Sequence, residues 1–362
     1  GEVVDSVAAR VLESAGWERP NPSSYPTGEH WAERYLDPLA KALGERVRLG
    51  TRVIGVTRRG RDRAVDAGRE TEPLTVHTVG ADGVEGRITA RAVIDASGTW
   101  GEPNPLGADG LPAIGENAAA SRTVYRVPDL TDDSVASRYR GKHVAVVGSG
   151  HSALTALVAV SELMADDPTT HVSWVLRRGQ VGDAFGGGQA DTLVARGALG
   201  RRARTAVEES HVDDVTGFRT AAVEWDGDAL ALVSDDGRRL DDLDEIVVLT
   251  GFRPDLSWLS EIRLGLDAKL QAPVALAPLI DPNVHSCGSV PPHGAAELTH
   301  PDPGFYLVGM KSYGRAPTFL ALTGYEQVRS VVAQIAGDAE AAARVDLRLP
   351  ETGVCGGSPV RR

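Results

Sequence analysis

The residues whose types and spacing carry the clearest chemical meaning are Gly148-Ser149-Gly150-His151-Ser152-Ala153. They have the G-x-G-x-x-A form, in which the first glycine permits a tight turn and the second lets the backbone approach a diphosphate. The small third residue lets a helix pack closely on a strand. The diphosphate would bind backbone N–H groups at the positive end of the helix dipole. These six residues are therefore predicted to bind a dinucleotide; a structural turn in a non-binding α/β layer is the alternative.

The elements that must position this turn can be read on both sides of it. The apolar run 144–147 predicts a buried strand before the turn, and an apolar helical pattern follows it. Residues 171–176 predict the next parallel strand, which ends in Arg177 and Arg178. An acidic residue there would suit the ribose hydroxyl of NADH, whereas arginine suits the 2′-phosphate of NADPH. The sequence thus favours NADPH, with two solvated surface arginines as the alternative.

Composition limits the class of protein. The 362 residues have room for two domains, and the net charge of −12 argues against a nucleic-acid partner. The two cysteines, Cys287 and Cys355, are far apart and form no C-x-x-C motif, so a disulfide framework is excluded and a cytoplasmic location is expected. No apolar run is long enough for a membrane span. The expected partners are a small-molecule substrate and a second copy of the chain in a homodimer.

An internal duplication is visible. Residues 74–90 and residues 230–237 each have the alternation and the glycine-containing turn of a hairpin. Each is followed by a buried strand that ends in a small residue and glycine, at Gly98 and at Gly251. Gly251 closes a domain that opens at Gly148, but no second strand–G-x-G–helix pattern precedes Gly98. We expect the chain to begin inside a first nucleotide-binding domain whose phosphate-binding unit is absent; a natural short form is the alternative.

These motifs carry a family resemblance. The stretches 94–99 and 248–254, the helix pattern 31–39, the strand 305–309 and the segment 314–319 resemble flavoproteins with two dinucleotide-binding domains. That group contains the pyridine nucleotide-disulphide reductases and the flavin-containing monooxygenases. The resemblance implies an α/β fold with Rossmann-like three-layer FAD- and NAD(P)-binding domains, each with a parallel sheet and an antiparallel hairpin.

The resemblance also implies domain limits, cofactors and site residues. Residues 1–120 and 255–340 would form an FAD-type domain, 121–254 an NADPH domain and 341–362 a tail. FAD and NADPH would be the cofactors, with hydride passing from NADPH to the flavin and on to oxygen or another acceptor. Beyond the glycine turn and the two arginines, the implied cofactor-binding residues are Gly98, Thr99, Gly251, Gly309, Met310, Lys311, Thr318 and Phe319; no residue identifies itself as catalytic.

Departures from the family pattern leave other functions open. Gly309 is followed by Met310 and Lys311, where the family has an aspartate that binds the ribityl chain, and the dithiol of the disulphide reductases is missing. Monooxygenation of a small nucleophile is therefore favoured. The alternatives are a non-catalytic NADPH-binding module without flavin and a disulphide-reductase-like protein.

Four residues late in the chain are of types that ligate transition metals. His285, Cys287, His293 and His300 match no zinc spacing and lie among prolines. No metal is therefore predicted, and the segment is expected to be an irregular loop beside the cofactor groove.

Overall fold

The elements of the protein are given by a computed structural model, which describes residues 4–21, 26–186, 194–284, 290–317 and 319–347. The helices are α1 (Ser6–Glu13), α2 (Gly28–Trp31), α3 (Asp37–Leu43), α4 (Asp133–Ala136), α5 (His151–Asp166), α6 (Val194–Glu209), α7 (Ala277–Ile280), α8 (Ala321–Ala336) and α9 (Ala339–Ala343). The strands are β1 (Thr51–Arg58), β2 (Leu74–Gly80), β3 (Glu85–Ala90), β4 (Val93–Asp95), β5 (Thr123–Val124), β6 (His143–Val147), β7 (His171–Val175), β8 (Asp213–Val215), β9 (Thr220–Asp226), β10 (Ala229–Ser234), β11 (Arg239–Leu243), β12 (Glu245–Val248) and β13 (Phe305–Leu307).

The chain divides into two units. Unit 1 comprises Gly1–Gly98, Pro254–Asp281 and Pro291–Leu349, and unit 2 consists mainly of Thr99–Arg253. The first boundary lies at Gly98, not at residue 120 as expected from the sequence. The reason is that residues 99–120 bond to β9 in unit 2: the Ala108 N–H donates to the Thr220 carbonyl at 2.9 Å, and the Ile114 N–H donates to the Ala221 carbonyl at 2.9 Å.

Unit 2 is built around a five-stranded parallel sheet in the order β5-β12-β6-β7-β8. Alternate residues of β6 pack into two hydrophobic cores, one on each face of the sheet. Val144 and Val146 pack with α5 and α6, whereas Ala145 and Val147 pack with the antiparallel sheet β9–β11. Because both faces are covered, β6 reads as a continuous apolar run. The unit is thus three-layered, as predicted.

Unit 1 repeats part of this plan. Strands β1, β2 and β3 form an antiparallel sheet, and β4 pairs in parallel with β13. Val56, Leu74 and Val76 share a core with Phe305 and Leu307. Sequence reasoning found β2 and β3 but missed β1, and it likewise missed β9 in unit 2. The predicted α/β fold class with Rossmann-like domains is confirmed.

No helix in the described ranges is both long enough and apolar enough to cross a membrane.

Candidate functional site

The turn between β6 and α5 has the backbone geometry that close approach of a diphosphate requires. Gly148 has φ +134°, and a Cβ built on it would lie 2.3 Å from the Leu249 carbonyl oxygen. No L side chain fits that position, because both the dihedral angle and the contact exclude it. A Cβ on Gly150, in contrast, would meet no atom within 4 Å. The turn is therefore closed against the sheet at Gly148 and open at Gly150.

Helix α5 begins on this open side, directly after Gly150. Gly150 is the N-cap, and no side chain caps the helix there. The first residues, His151 and Ser152, are exposed, whereas Ala153 is fully buried against the strand layer. Each of the three predicted roles, the tight turn, the open approach and the close packing, has a residue in place.

Trp174 fixes the turn from β7, and sequence reasoning missed it. Its indole Nε1 donates to the Gly148 carbonyl at 2.7 Å, while the Gly148 N–H donates to the Val175 carbonyl at 3.1 Å. The indole is fully buried and packs against Phe185 at 5.5 Å between ring centroids. Gly148 is thus held on both its amide and its carbonyl side. In the sequence, Trp174 is one residue of an apolar strand, and only its N–H group indicates that it could donate a hydrogen bond to the turn.

Arg177 and Arg178 follow the end of β7, one strand away from the glycine turn. Both side chains are exposed, and Arg177 donates to the Ala108 carbonyl at 3.0 Å. The carboxyl ends of adjacent parallel strands meet at one edge of a sheet, where open α/β sheets bind ligands. The two guanidinium groups therefore lie on the edge that carries Gly148.

Gly251 closes β12, the strand on the other side of β6. Asn104 ties this end down, since its Nδ2 donates to the Thr250 carbonyl at 3.0 Å and its own carbonyl accepts from Thr250 Oγ1 at 3.0 Å. Trp100, which is 67% exposed, stacks on Phe252 with 6.3 Å between ring centroids. Thr99 is the first residue of unit 2 and is buried.

In unit 1, β4 and β13 bring Gly98 and Gly309 to one edge, because the two strands run in parallel. Gly309 has φ +67°, and a Cβ on either glycine would meet no atom within 4 Å. The backbone at both positions is therefore open to a ligand. Met310, next in the chain, is 39% exposed.

Lys311 has a different place from the open one expected for a cofactor contact. It is 1% exposed, and its ammonium group pairs with Asp95 Oδ2 at 2.7 Å and donates to Ser97 Oγ at 3.0 Å. It also lies 4.7 Å from the centre of the Trp258 ring. Asp95 therefore neutralises the charge of Lys311 within unit 1, and the ion pair links the end of β4 to the turn after β13.

A buried polar network holds that turn, the 3₁₀ segment Gly309–Tyr313, against α8. The Gly309 N–H donates to Gln327 Oε1 at 2.7 Å, and Gln327 Nε2 donates to Ser312 Oγ and to His293 Nε2, both at 2.9 Å. His293 Nδ1 donates to the Pro291 carbonyl at 3.0 Å. The Gln327 amide nitrogen only donates, so His293 Nε2 accepts and the single ring proton lies on Nδ1. His293 is therefore neutral, and burial lowers its pKa.

The remaining predicted residues are placed as follows. Phe319 packs edge-on against the Tyr313 ring at 4.9 Å, and burial raises the pKa of Tyr313. Thr318, His285 and Cys287 lie outside the described residues.

Within the described ranges, no three metal-ligating side chains come together. His293 bonds to Gln327, and His300 accepts from the Gly265 N–H at 3.3 Å.

The fold and the site define a flavoprotein-type pair of nucleotide-binding units. The family model described as pyridine nucleotide-disulphide oxidoreductase matches residues 17–300, and the chain belongs to this family. The family binds FAD and uses NAD(P)H, so these are the chain's cofactors and it is a flavin-dependent oxidoreductase. A sequence search of curated proteins finds no match.

Solved structures of similar fold include a disulfide reductase and amine monooxygenases. The bacillithiol disulfide reductase of Bacillus cereus has a TM-score of 0.60 at 16% identity, covering 88% of this chain and 82% of that one. The cadaverine monooxygenase of desferrioxamine biosynthesis from Erwinia amylovora, solved with FAD, has 0.58 at 12%, covering 89% and 77%. The L-lysine 6-monooxygenase of Pseudomonas syringae has 0.54 at 16%, covering 93% and 80%. At these identities the likeness is one of fold.

The two cofactors fit the described residues to different extents. For a pyridine nucleotide, unit 2 supplies the turn at Gly148, the N-terminus of α5 without a side-chain cap, and two exposed arginines. For FAD, unit 1 supplies the open strand ends at Gly98 and Gly309, while its described residues hold no second diphosphate turn of the Gly148 kind.

Proposed function

We propose that the chain is an NADPH-dependent flavin oxidoreductase in which unit 2 binds NADPH. The observation that carries the proposal is the combination, on one sheet edge, of the open turn at Gly148–Gly150 with the exposed guanidinium groups of Arg177 and Arg178. The turn would take the diphosphate on backbone N–H groups. The arginines would pair with the 2′-phosphate, which NADH lacks. The acidic residue that would bind the ribose hydroxyl of NADH at the end of β7 is absent from the sequence.

The protein's own contribution would be binding and orientation. Bound FAD supplies hydride acceptance from the nicotinamide and electron transfer onward. Trp174 and the Val175 carbonyl would keep the Gly148 turn in its binding shape, since they hold its carbonyl and its amide. Gln327 and His293 would do the same for the turn after β13.

We further propose oxygen, with a small nucleophilic substrate, as the terminal acceptor rather than a disulfide. The sequence has two cysteines in 362 residues and no C-x-x-C, so it lacks the paired thiols that relay electrons to a disulfide. The resemblance to amine monooxygenases is in keeping with this. A disulfide reductase remains the second candidate, because one of the similar folds belongs to such an enzyme.

Replacing Arg177 and Arg178 by alanine tests the choice of nucleotide. We expect the Kd of NADPH to rise by about tenfold or more, since charge-assisted bonds to a phosphate contribute about 1.5–3 kcal/mol. The Kd of NADH should change little. Isothermal titration calorimetry with both nucleotides measures this.

Arg202→Ala is the matched control, because Arg202 is an equally exposed arginine of unit 2 that lies on α6, away from the strand ends. Equal loss of NADPH and NADH affinity in the double variant, or wild-type affinity for NADPH, would contradict the assignment.

A further inference from the structure

The outer face of the sheet β1–β3 in unit 1 carries a row of hydroxyl groups. Thr57, Thr75 and Thr89 are paired across the three strands in register. Their neighbours Val56, Val76 and Ile88 point to the opposite face, where they pack in the core. The next outward row is Gly55, His77 and Arg87. Gly55 leaves that row without a side chain on β1, which opens space beside His77.

Four arginines join the threonines and His77 around a cleft of about 450 Å³. They are Arg58, Arg59, Arg61 and Arg87, and no lining residue is acidic. This is a strong local excess of positive charge in a chain whose net charge is −12. The volume falls within the range of small-molecule sites.

The nearby carboxylates satisfy only part of this charge. Glu72 pairs with Arg59 at 3.1 Å, and Asp302 lies 3.8 Å from Arg58 while bonding mainly to Arg69. Within the part of the chain that the structure describes, neither Arg61 nor Arg87 has a carboxylate partner. Glu85, exposed on β3, is a further carboxylate on this face of the sheet.

Two of the guanidinium groups keep a buried donor unused. Arg58 is 2% exposed; its terminal nitrogens donate to the carbonyls of Glu72 and Pro303, but its Nε is buried without a hydrogen-bond partner. Arg61 Nε is also buried and unpartnered, and its guanidinium packs against Gly68. Both unpartnered donors belong to residues that line the cleft, and a buried donor without a partner is costly.

We propose that this cleft binds the phosphate group of a phosphate monoester no larger than a mononucleotide. A tetrahedral dianion offers acceptors to several arginines and to hydroxyl donors at once, whereas a carboxylate offers two oxygens in one plane. The proposal is independent of the nucleotide site in unit 2, since every residue that carries it belongs to unit 1.

The test is calorimetric titration of the full chain with inorganic phosphate, AMP and adenosine at constant ionic strength. We expect saturable binding of phosphate and of AMP in the millimolar range or tighter, and none of adenosine. In the double variant Arg61→Gln/Arg87→Gln the phosphate Kd should rise by about tenfold or more. Arg87→Gln alone should give about a threefold rise. It guards against misfolding of the double variant, because the exposed Arg87 side chain has no ion pair within the described residues.

Arg52→Gln is the matched control, because Arg52 is an exposed arginine on β1 that does not line the cleft. It should leave the phosphate Kd within about twofold of wild type. Binding of AMP at the glycine turn of unit 2 would be retained in the arginine variants. If AMP binds wild type more tightly than phosphate does, and the arginine variants lose that binding, a mononucleotide is identified as the natural source of the phosphate group. Absence of saturable phosphate binding, or the same Kd in wild type and both cleft variants, overturns the proposal.

Discussion

Buried side chains of unit 1 show how much charge and hydrogen-bonding capacity this fold keeps inside. Asp302 is 1% exposed and accepts two bonds from Arg69 and one from the Arg263 N–H. These groups hold the pKa of Asp302 below its usual value despite burial. His300, two residues earlier, is buried with one nitrogen unpartnered. Its burial lowers its pKa to about 4.

His300 should make the protein sensitive to mild acid. Its folded pKa lies below its unfolded value of about 6.5, so between those values the unfolded chain takes up a proton that the folded chain refuses. Stability attributable to His300 is therefore present at pH 7 and lost as the pH falls toward 4. We expect a loss of about 2 kcal/mol by pH 5, where most carboxylates are still ionised. Urea unfolding at pH 7 and pH 5 measures it.

The comparison for this prediction is His300→Gln, which removes the titrating group. The variant should lose clearly less stability than wild type between the two pH values. His293, whose pKa burial also lowers, adds to the loss in both proteins and cancels in the comparison. Identical pH dependence in wild type and variant would show that His300 does not titrate as described.

The strands and turns explain which parts of the site could be predicted from the sequence. The β6–turn–α5 segment could be predicted because its signals are local in sequence. Its apolar run, its glycines and its helical pattern follow one another, and they predict a strand, a tight turn and a helix. β1 was missed because a register shift between Val53 and Gly55 breaks its alternation. β9 was missed because two alanines weaken its strand pattern.

Contacts between elements distant in sequence could not be predicted. The Trp174–Gly148 bond, the Lys311–Asp95 pair and the His293–Gln327 network each join segments that only the tertiary fold brings together. Because Lys311 follows a strand end, the family resemblance places it among the expected cofactor ligands. The resemblance could not show that a buried carboxylate more than 200 residues earlier takes up the charge.

Trp174→Phe tests the support of the glycine turn. The ring volume is largely kept, but the Gly148 carbonyl loses its donor, so the turn should be less well fixed. We expect stability to fall by about 1 kcal/mol and the Kd of NADPH to rise several-fold. Chemical unfolding and calorimetric titration measure the two effects.

Tyr139→Phe serves as the reference, since Tyr139 is equally buried in the same core and does not touch the turn. It should leave the Kd of NADPH unchanged. If Trp174→Phe binds NADPH like wild type, the indole bond has no part in nucleotide binding.

Lys311→Ala tests the link between β4 and the turn after β13. It leaves the Asp95 carboxylate buried without its counter-charge, and breaking such a pair costs about 3–5 kcal/mol. We expect a loss of stability in that range by urea unfolding.

The double variant Asp95→Asn/Lys311→Met should recover much of this loss, because it removes both charges and keeps the oxygen that accepts from Ser97. A double variant no more stable than Lys311→Ala would show that the pair's electrostatics are not the cause.

The molecule as a whole repeats one plan in its two units. In each, a three-stranded antiparallel sheet precedes a strand that ends in glycine, β4 in unit 1 and β12 in unit 2, and each of these strands pairs in parallel with a partner, β13 or β5. This repetition made the family recognisable from scattered motifs. It also made the first domain limit hard to place, because residues 99–120 follow the glycine of unit 1 but pack in the core of unit 2.

Anaerobic mixing of the FAD-loaded protein with NADPH or NADH tests most directly the claim that NADPH, bound at the glycine turn, reduces the flavin. We expect NADPH to bleach the flavin absorbance much faster than NADH, and alanine at Arg177 and Arg178 to abolish this preference. The colour should return when oxygen is admitted. A protein that holds no flavin yet binds NADPH, or a flavin that NADPH leaves oxidised, would contradict the claim.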